Sequence, residues 1–200
     1  MKLRQKIEDE MAEHAGDLER LRPLIPVIER LAERIVAVLK SGGKVLACGN
    51  GGSAAQADHF VGELVGRFRA ERRPLPAVAL TAATAGLTAI ANDYGYAEVF
   101  ARQVAALGRS GDALLALSTS GSSLNLLQAL ERARSLGMTT LGLAGRDGGA
   151  MVSLCEVCVT IPSASTARIQ ELHLFIIHVV CEWVDQAFAG AGSGPATGDA

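Results

Sequence analysis

Residues 44–53 read KVLACGNGGS, and residues 54–65 continue as AAQADHFVGELV. A short apolar run that ends in a glycine-rich turn and passes directly into helical spacing is the strand–turn–helix unit of a parallel sheet. The same alternation recurs downstream. PAVALT, DALLALSTS, MTTLGLAG and VCVTIPS are further strand candidates, and helical periodicity begins near Ser53, Ala83, Tyr96, Ser123 and Thr166. Strands alternating with helices predict an α/β fold, a three-layer doubly wound sheet of about five parallel strands. In such a sheet the ligand site lies beyond the carboxyl ends of the strands.

Upstream of Lys44 the pattern is purely helical. Leu3, Ile7, Met11, His14, Leu18 and Leu21 follow a spacing of threes and fours, and after Pro23 and Pro26 the positions Ile28, Leu31, Ile35 and Val38 repeat it. So long a stripe needs a partner surface, which predicts a homo-oligomer. The expected organisation is a helical pair for oligomerisation over residues 1–40, an α/β domain over 41–189 and a disordered, small and polar tail over 190–200.

Composition narrows the function classes. The 200 residues are 49% hydrophobic and 20% charged with a net charge of −2, so no global field favours nucleic acid or an anionic membrane. Aromatic residues make up 4%, too few for the stacking platforms of single-strand readers. The opening MKLRQKIEDEMAEH has no apolar core of a signal peptide, and the run from Leu172 to Cys181 is interrupted by His173 and His178. Both features predict a cytoplasmic protein with no membrane partner. Cys48, Cys155, Cys158 and Cys181 then read as free thiols of the interior, because no second Cys or His pair stands at zinc-ribbon distance from the C-x-x-C.

Two turns carry the candidate chemistry. The turn Gly49, Asn50, Gly51, Gly52, Ser53 lets a backbone approach a ligand closely, with Ser53 expected to cap the helix that follows. Gly49, Gly51 and Ala54 also satisfy G-x-G-x-x-A, but the second strand ends in Leu80 and Thr81 with no acid to hold a ribose. The loop Ser118, Thr119, Ser120, Gly121, Ser122, Ser123 likewise opens a helix, and its hydroxyls and amides form a neutral phosphate cradle. Two such turns in one sheet point to a sugar phosphate.

The helix after Ser53 carries His59 and Glu63 four residues apart on one face, and the last helix carries Gln170, Glu171, His173 and His178 in an apolar stretch. A histidine on a buried helix is more often a satisfied core residue than a ligand. Histidines and carboxylates also suit zinc and proton transfer. Gln170 and His178 are separated by roughly 12 Å along a straight helix, so one ion reaches both only through extended side chains or an adjoining subunit.

The strings CGNGGSAAQADHFVGELVGRF, AIANDYGYAEVFARQ, STSGSS and TARIQELHLFIIH, in this order, resemble the phosphoheptose isomerases of the sugar isomerase (SIS) fold over roughly Ile28 to Ala189. The resemblance implies interconversion of sedoheptulose 7-phosphate and D-glycero-D-manno-heptose 7-phosphate through an enediol(ate), for the heptoses of bacterial surface polysaccharides including lipopolysaccharide. It also implies a zinc-binding cytoplasmic homotetramer. Its implied substrate contacts are Asn50, Gly51, Gly52, Ser53, Glu63, Asn92, Asp93, Ser118, Thr119, Ser120, Ser123 and Gln170. Its implied metal set is His59, Glu63, Gln170 and His178, with Glu63 and His178 the acid–base pair and Asp93 a candidate for ring opening. Ala167 stands where some members carry an acid. The alternative is a non-catalytic SIS protein that binds sugar phosphate or the replication initiator; such a relative lacks the Glu and final His kept here.

Overall fold

Val45–Gly49 forms strand β1 because it is a run of apolar side chains with no polar position to expose, and every residue of it is buried. β3 (Ala113–Ser118) is likewise buried throughout and apolar up to its last residue, Ser118. Only a strand covered on both faces tolerates that pattern. In the computed structural model, which describes residues 2–189, these strands sit at the centre of one five-stranded parallel sheet. Its order is β2-β1-β3-β4-β5, with β2 at Ala77–Ala79, β4 at Thr139–Gly145 and β5 at Val157–Ile161. Val45 pairs with Ala113, and Ala113 with Thr139, so the strand ends align across the middle of the sheet.

Alternation along the strands sends Val45, Ala47, Leu115, Leu117, Leu141 and Leu143 to one core and Leu46, Cys48, Leu114 and Ala116 to another. The first core is covered by helices α2 (Ile25–Lys40), α3 (Gly52–Val65) and α8 (Thr166–Phe188). The second is covered mainly by α5 (Ala101–Leu107) and α6 (Leu124–Ser135), with α4 (Thr84–Tyr94) and the single-turn α7 (Met151–Leu154) at its margins. The three layers are those the alternation predicts. The segment near Tyr96 forms a 3₁₀ turn before α5 instead of one continuous helix, after Gly95 at φ +88°.

The strand order reverses direction between β1 and β3, and that is where a doubly wound sheet opens a crevice. The Gly49–Ser53 and Ser118–Ser123 turns follow these two strands, so the topology brings both to one place.

The two N-terminal helices differ. In α2, Ile28, Leu31, Ile35 and Val38 are all buried, and Pro26 sits within the first turn, where its missing N–H costs nothing. In α1 (Leu3–Glu19), Leu3, Ile7, Met11 and Leu18 remain exposed, and of this apolar stripe only Leu21, beyond the helix end, is buried. All four cysteines are free; Cys48 and Cys181 are buried, whereas Cys155 and Cys158 are half-buried beside Gly142 near the β5 edge. The predicted tail at 190–200 lies outside the described residues. Among those residues no helix is long and apolar enough to cross a membrane.

Candidate functional site

Gly51 turns the chain from β1 into α3 at φ +55° and ψ −121°, a conformation that side chains with a β-carbon rarely adopt. That turn starts the helix at Gly52, two residues before the Ala54 start that a Ser53 cap implies. Ser53 therefore does not cap α3: it lies buried in the first turn, its amide bonded to Asn50 O at 3.0 Å, and no side chain caps the helix. Gly52 has its own reason. A β-carbon there would lie 2.6 Å from Gln170 Nε2 and 2.9 Å from Gln170 Oε1, so the missing side chain makes room for Gln170 of α8. Gln56 fixes the same junction by donating to Gln170 O at 2.5 Å.

In the second turn three hydroxyls converge. Ser118 Oγ lies 3.4 Å from Ser120 Oγ and 3.5 Å from Ser123 Oγ, and it accepts from the Gly121 amide at 3.0 Å. Ser123 occupies the N-cap position of α6 without a side-chain cap bond, which leaves its hydroxyl to the cluster. Thr119 is half-buried beside it. Hydroxyls gathered at a helix start can hold a phosphate without lysine.

Deeper along α3, His59 and Glu63 share the face that meets α8. His59 Nε2 lies 3.0 Å from His178 Nε2 and 3.4 Å from Glu63 Oε1. Phe68 stacks on the His178 ring with centroids 5.3 Å apart. Two ring nitrogens and a carboxylate at this spacing offer an N, N, O donor set of the kind zinc takes, and equally an acid–base pair. Among the described residues no group of three or more His, Cys, Asp and Glu side chains already surrounds one point as an ion cage. Gln170 packs at the Gly52 end of α3, apart from the His59–His178 contact seven residues further along.

Asn92 and Asp93 are exposed on the last turn of α4, Asn92 donating to Asp93 Oδ1 at 2.8 Å. No hydrogen bond among the described residues joins either of them to Glu63 or His178. His173 belongs to the core. It is fully buried and donates from Nε2 to Ala144 O at 3.1 Å, and burial pushes its pKa down to about 4.

Some residues that shape the site are illegible as site residues in the sequence. Arg72 sits in a basic run that reads as solvent-facing, yet it is buried and donates to Glu63 O at 2.7 Å, Leu64 O at 2.9 Å and Gly66 O at 3.1 Å. It thereby caps the carboxyl end of α3 and places a cation at the negative end of the helix dipole. Its Nε donates to Asp185 Oδ1 of α8 at 2.9 Å, tying the Glu63 helix to the His178 helix. Asp185 did leave a signal, since a charge among Cys181, Val184 and Phe188 breaks the apolar stripe of α8. Burial opposes its charge, but the amides of Arg69 and Ala70 together with Arg72 hold its carboxyl below the usual range. Asn125, buried in the first turn of α6, pairs its amide with that of Asn50.

Fold and site define a class: residues 12–145 match the SIS domain family. Within that class the relatives agree. The chain is 48% identical to a phosphoheptose isomerase of Campylobacter concisus over 94% of its own length and 100% of the relative. It is 54% identical to one from Roseiflexus sp. over 80% of this chain and 82% of that protein. A solved phosphoheptose isomerase from Francisella tularensis superposes with a TM-score of 0.89 at 42% identity, covering 93% of this chain and 100% of the other. The chain belongs to the phosphoheptose isomerase family.

Proposed function

We propose that the protein is an aldose–ketose isomerase that interconverts sedoheptulose 7-phosphate and D-glycero-D-manno-heptose 7-phosphate for heptose biosynthesis. The observation that carries this reading is the match to phosphoheptose isomerases over nearly the whole chain. The same identity disfavours a non-catalytic role in binding sugar phosphate or the replication initiator.

In this reading the Ser118, Thr119, Ser120 and Ser123 cluster holds the phosphate at the start of α6, and the Asn50–Ser53 turn and Gln170 contact the sugar. Asn92 and Asp93 reach the substrate from α4, where Asp93 assists ring opening. Glu63 removes the proton from C1 of the open ketose; the C–H electron pair becomes the C1=C2 bond, and charge moves to O2. His178 gives a proton to O2 and takes up the O1 proton as O1 becomes the aldehyde carbonyl, and Glu63 returns its proton to C2, so both side chains end in their starting states and no proton is gained or lost overall. His59, Glu63 and His178 fit a zinc ion by donor chemistry, with Gln170 a fourth ligand only if it swings from Gly52. When bound, zinc would supply Lewis-acid polarisation of substrate oxygens.

A homotetramer in the cytoplasm completes the proposal. In one chain α1 exposes Leu3, Ile7 and Met11, and Phe175, Val179 and Trp183 of α8 are exposed as well. Leaving such area in water costs about 25 cal/mol per Å², which packing against neighbouring copies removes. Incubating the purified protein with sedoheptulose 7-phosphate and following aldose formation tests the function. Absence of turnover by zinc-replete protein would sink it. A chelated sample should lose activity or thermal stability and recover with added zinc.

A further inference from the structure

We infer that Asn125 and Tyr96 are positioning residues that act through Asn50, locking together the segments that grip the sugar phosphate. The inference rests on the isomerase reading and deepens it.

The two substrate turns belong to different strand–helix units, and nothing covalent near the site sets their separation. Asn50 and Asn125 bridge them. Asn50 Nδ2 donates to Asn125 Oδ1 at 3.0 Å while Asn125 Nδ2 donates to Asn50 Oδ1 at 2.9 Å, a reciprocal amide pair. Tyr96 then donates its hydroxyl to the same Asn50 Oδ1 at 2.8 Å. Tyr96 follows α4, which carries Asn92 and Asp93 on its last turn. One amide thus joins the turn after β1, the start of α6 beside the serine cluster, and the segment beyond α4.

Chemistry restricts what else Asn50 can do. Its carbonyl oxygen has two lone pairs, and both are engaged; of its two N–H donors one is engaged. Asn50 therefore meets a substrate with one side-chain N–H and its backbone, and its chief work is to hold the turns at a fixed span. Asn125 is 3% exposed, so its amide cannot exchange partners with water at no cost. Tyr96 is 55% exposed and reaches inward only through its hydroxyl.

A strut that presets the binding turns helps substrate and transition state alike, so its loss should raise KM and spare kcat. Tyr96→Phe removes one hydroxyl from an exposed side chain and leaves folding untouched. KM for sedoheptulose 7-phosphate should rise about 3- to 10-fold, the worth of one neutral hydrogen bond, with kcat lowered less than about threefold. Asn125→Leu keeps the volume, loses both amide bonds and should raise KM by about tenfold or more. In an Asn50→Ala background, Tyr96→Phe should add nothing, because its effect passes through Asn50. Wild-type KM in the folded Tyr96→Phe variant, a loss confined to kcat, or full additivity with Asn50→Ala would each overturn the inference. An inactive wild type in the same assay would instead strike the isomerase reading itself.

Discussion

His173 and His178 lie five residues apart on α8 and inhabit two different regions. His173 points into the layer under β4, where its ring is fully buried and held by Ala144 O. His178 lies against α3, where its ring is half-buried between His59 and Phe68. The difference is set by neighbours, not by residue type. A histidine hydrogen-bonded to a backbone carbonyl in an apolar layer is kept neutral and fixed, whereas one facing another imidazole and a nearby carboxylate can exchange protons or hold an ion. Each substitution below tests whether that division of labour is real.

The largest effect is expected at the α3–α8 contact. Glu63→Gln keeps size and hydrogen bonding but removes the proposed base, and turnover should fall by about a hundredfold or more with the thermal midpoint nearly unchanged. His178→Gln should lose activity on a similar scale. Near-normal steady-state turnover in either variant would erase the distinction between the two histidines.

Next comes the support that keeps Glu63 and His178 in register. Arg72→Met leaves the Asp185 carboxylate buried without its cation and strips three carbonyls at the end of α3, so the fold should lose about 3–5 kcal/mol in denaturant titration. A loss below about 1 kcal/mol would show that the two helices are held by packing alone.

The fold was legible from residues 44–53 outward because short apolar runs alternate with helical periods, and the two central strands β1 and β3 end in glycine- and serine-rich turns. The site was legible only where residue type and sequence distance coincide: His59 with Glu63, and the serines of the loop. Arg72 hid in a charged run because its burial depends on Asp185, 113 positions later. Asn125 hid because an asparagine two residues past Ser123 reads as part of a helix start, and its partner Asn50 is 75 positions away. Ser53 misled for a local reason: the backbone freedom of Gly51 moved the helix start ahead of it. Contacts between distant segments leave no period, so they become visible only in three dimensions.

The pH response separates the two regions by sign as well as place. The folded pKa of His173 is depressed from 6.5 to about 4, so the unfolded chain takes up this proton first as pH falls. Stability from this group is complete above pH 6.5 and is lost as pH drops towards 4, about 3 kcal/mol over the window. Thermal midpoints measured across that range should fall accordingly; a flat profile would mean that His173 stays solvated.

The smallest effect at neutral pH sharpens the comparison most. His173→Leu removes the bond to Ala144 O, a loss of about 1 kcal/mol, but it also removes a buried Nδ1 that has no partner. The two terms oppose each other, so stability at pH 7 should change by no more than about 1–2 kcal/mol, and turnover per folded molecule should stay at the wild-type level. Acid separates the two. The leucine variant has no proton to take up at this position, whereas the wild type has lost about 2 kcal/mol by pH 5, so the variant should gain about 2 kcal/mol on the wild type between pH 7 and pH 5. Parallel curves would show that another group carries the acid response. A variant that keeps its stability but loses turnover would place His173 within the chemistry and end the division drawn along α8.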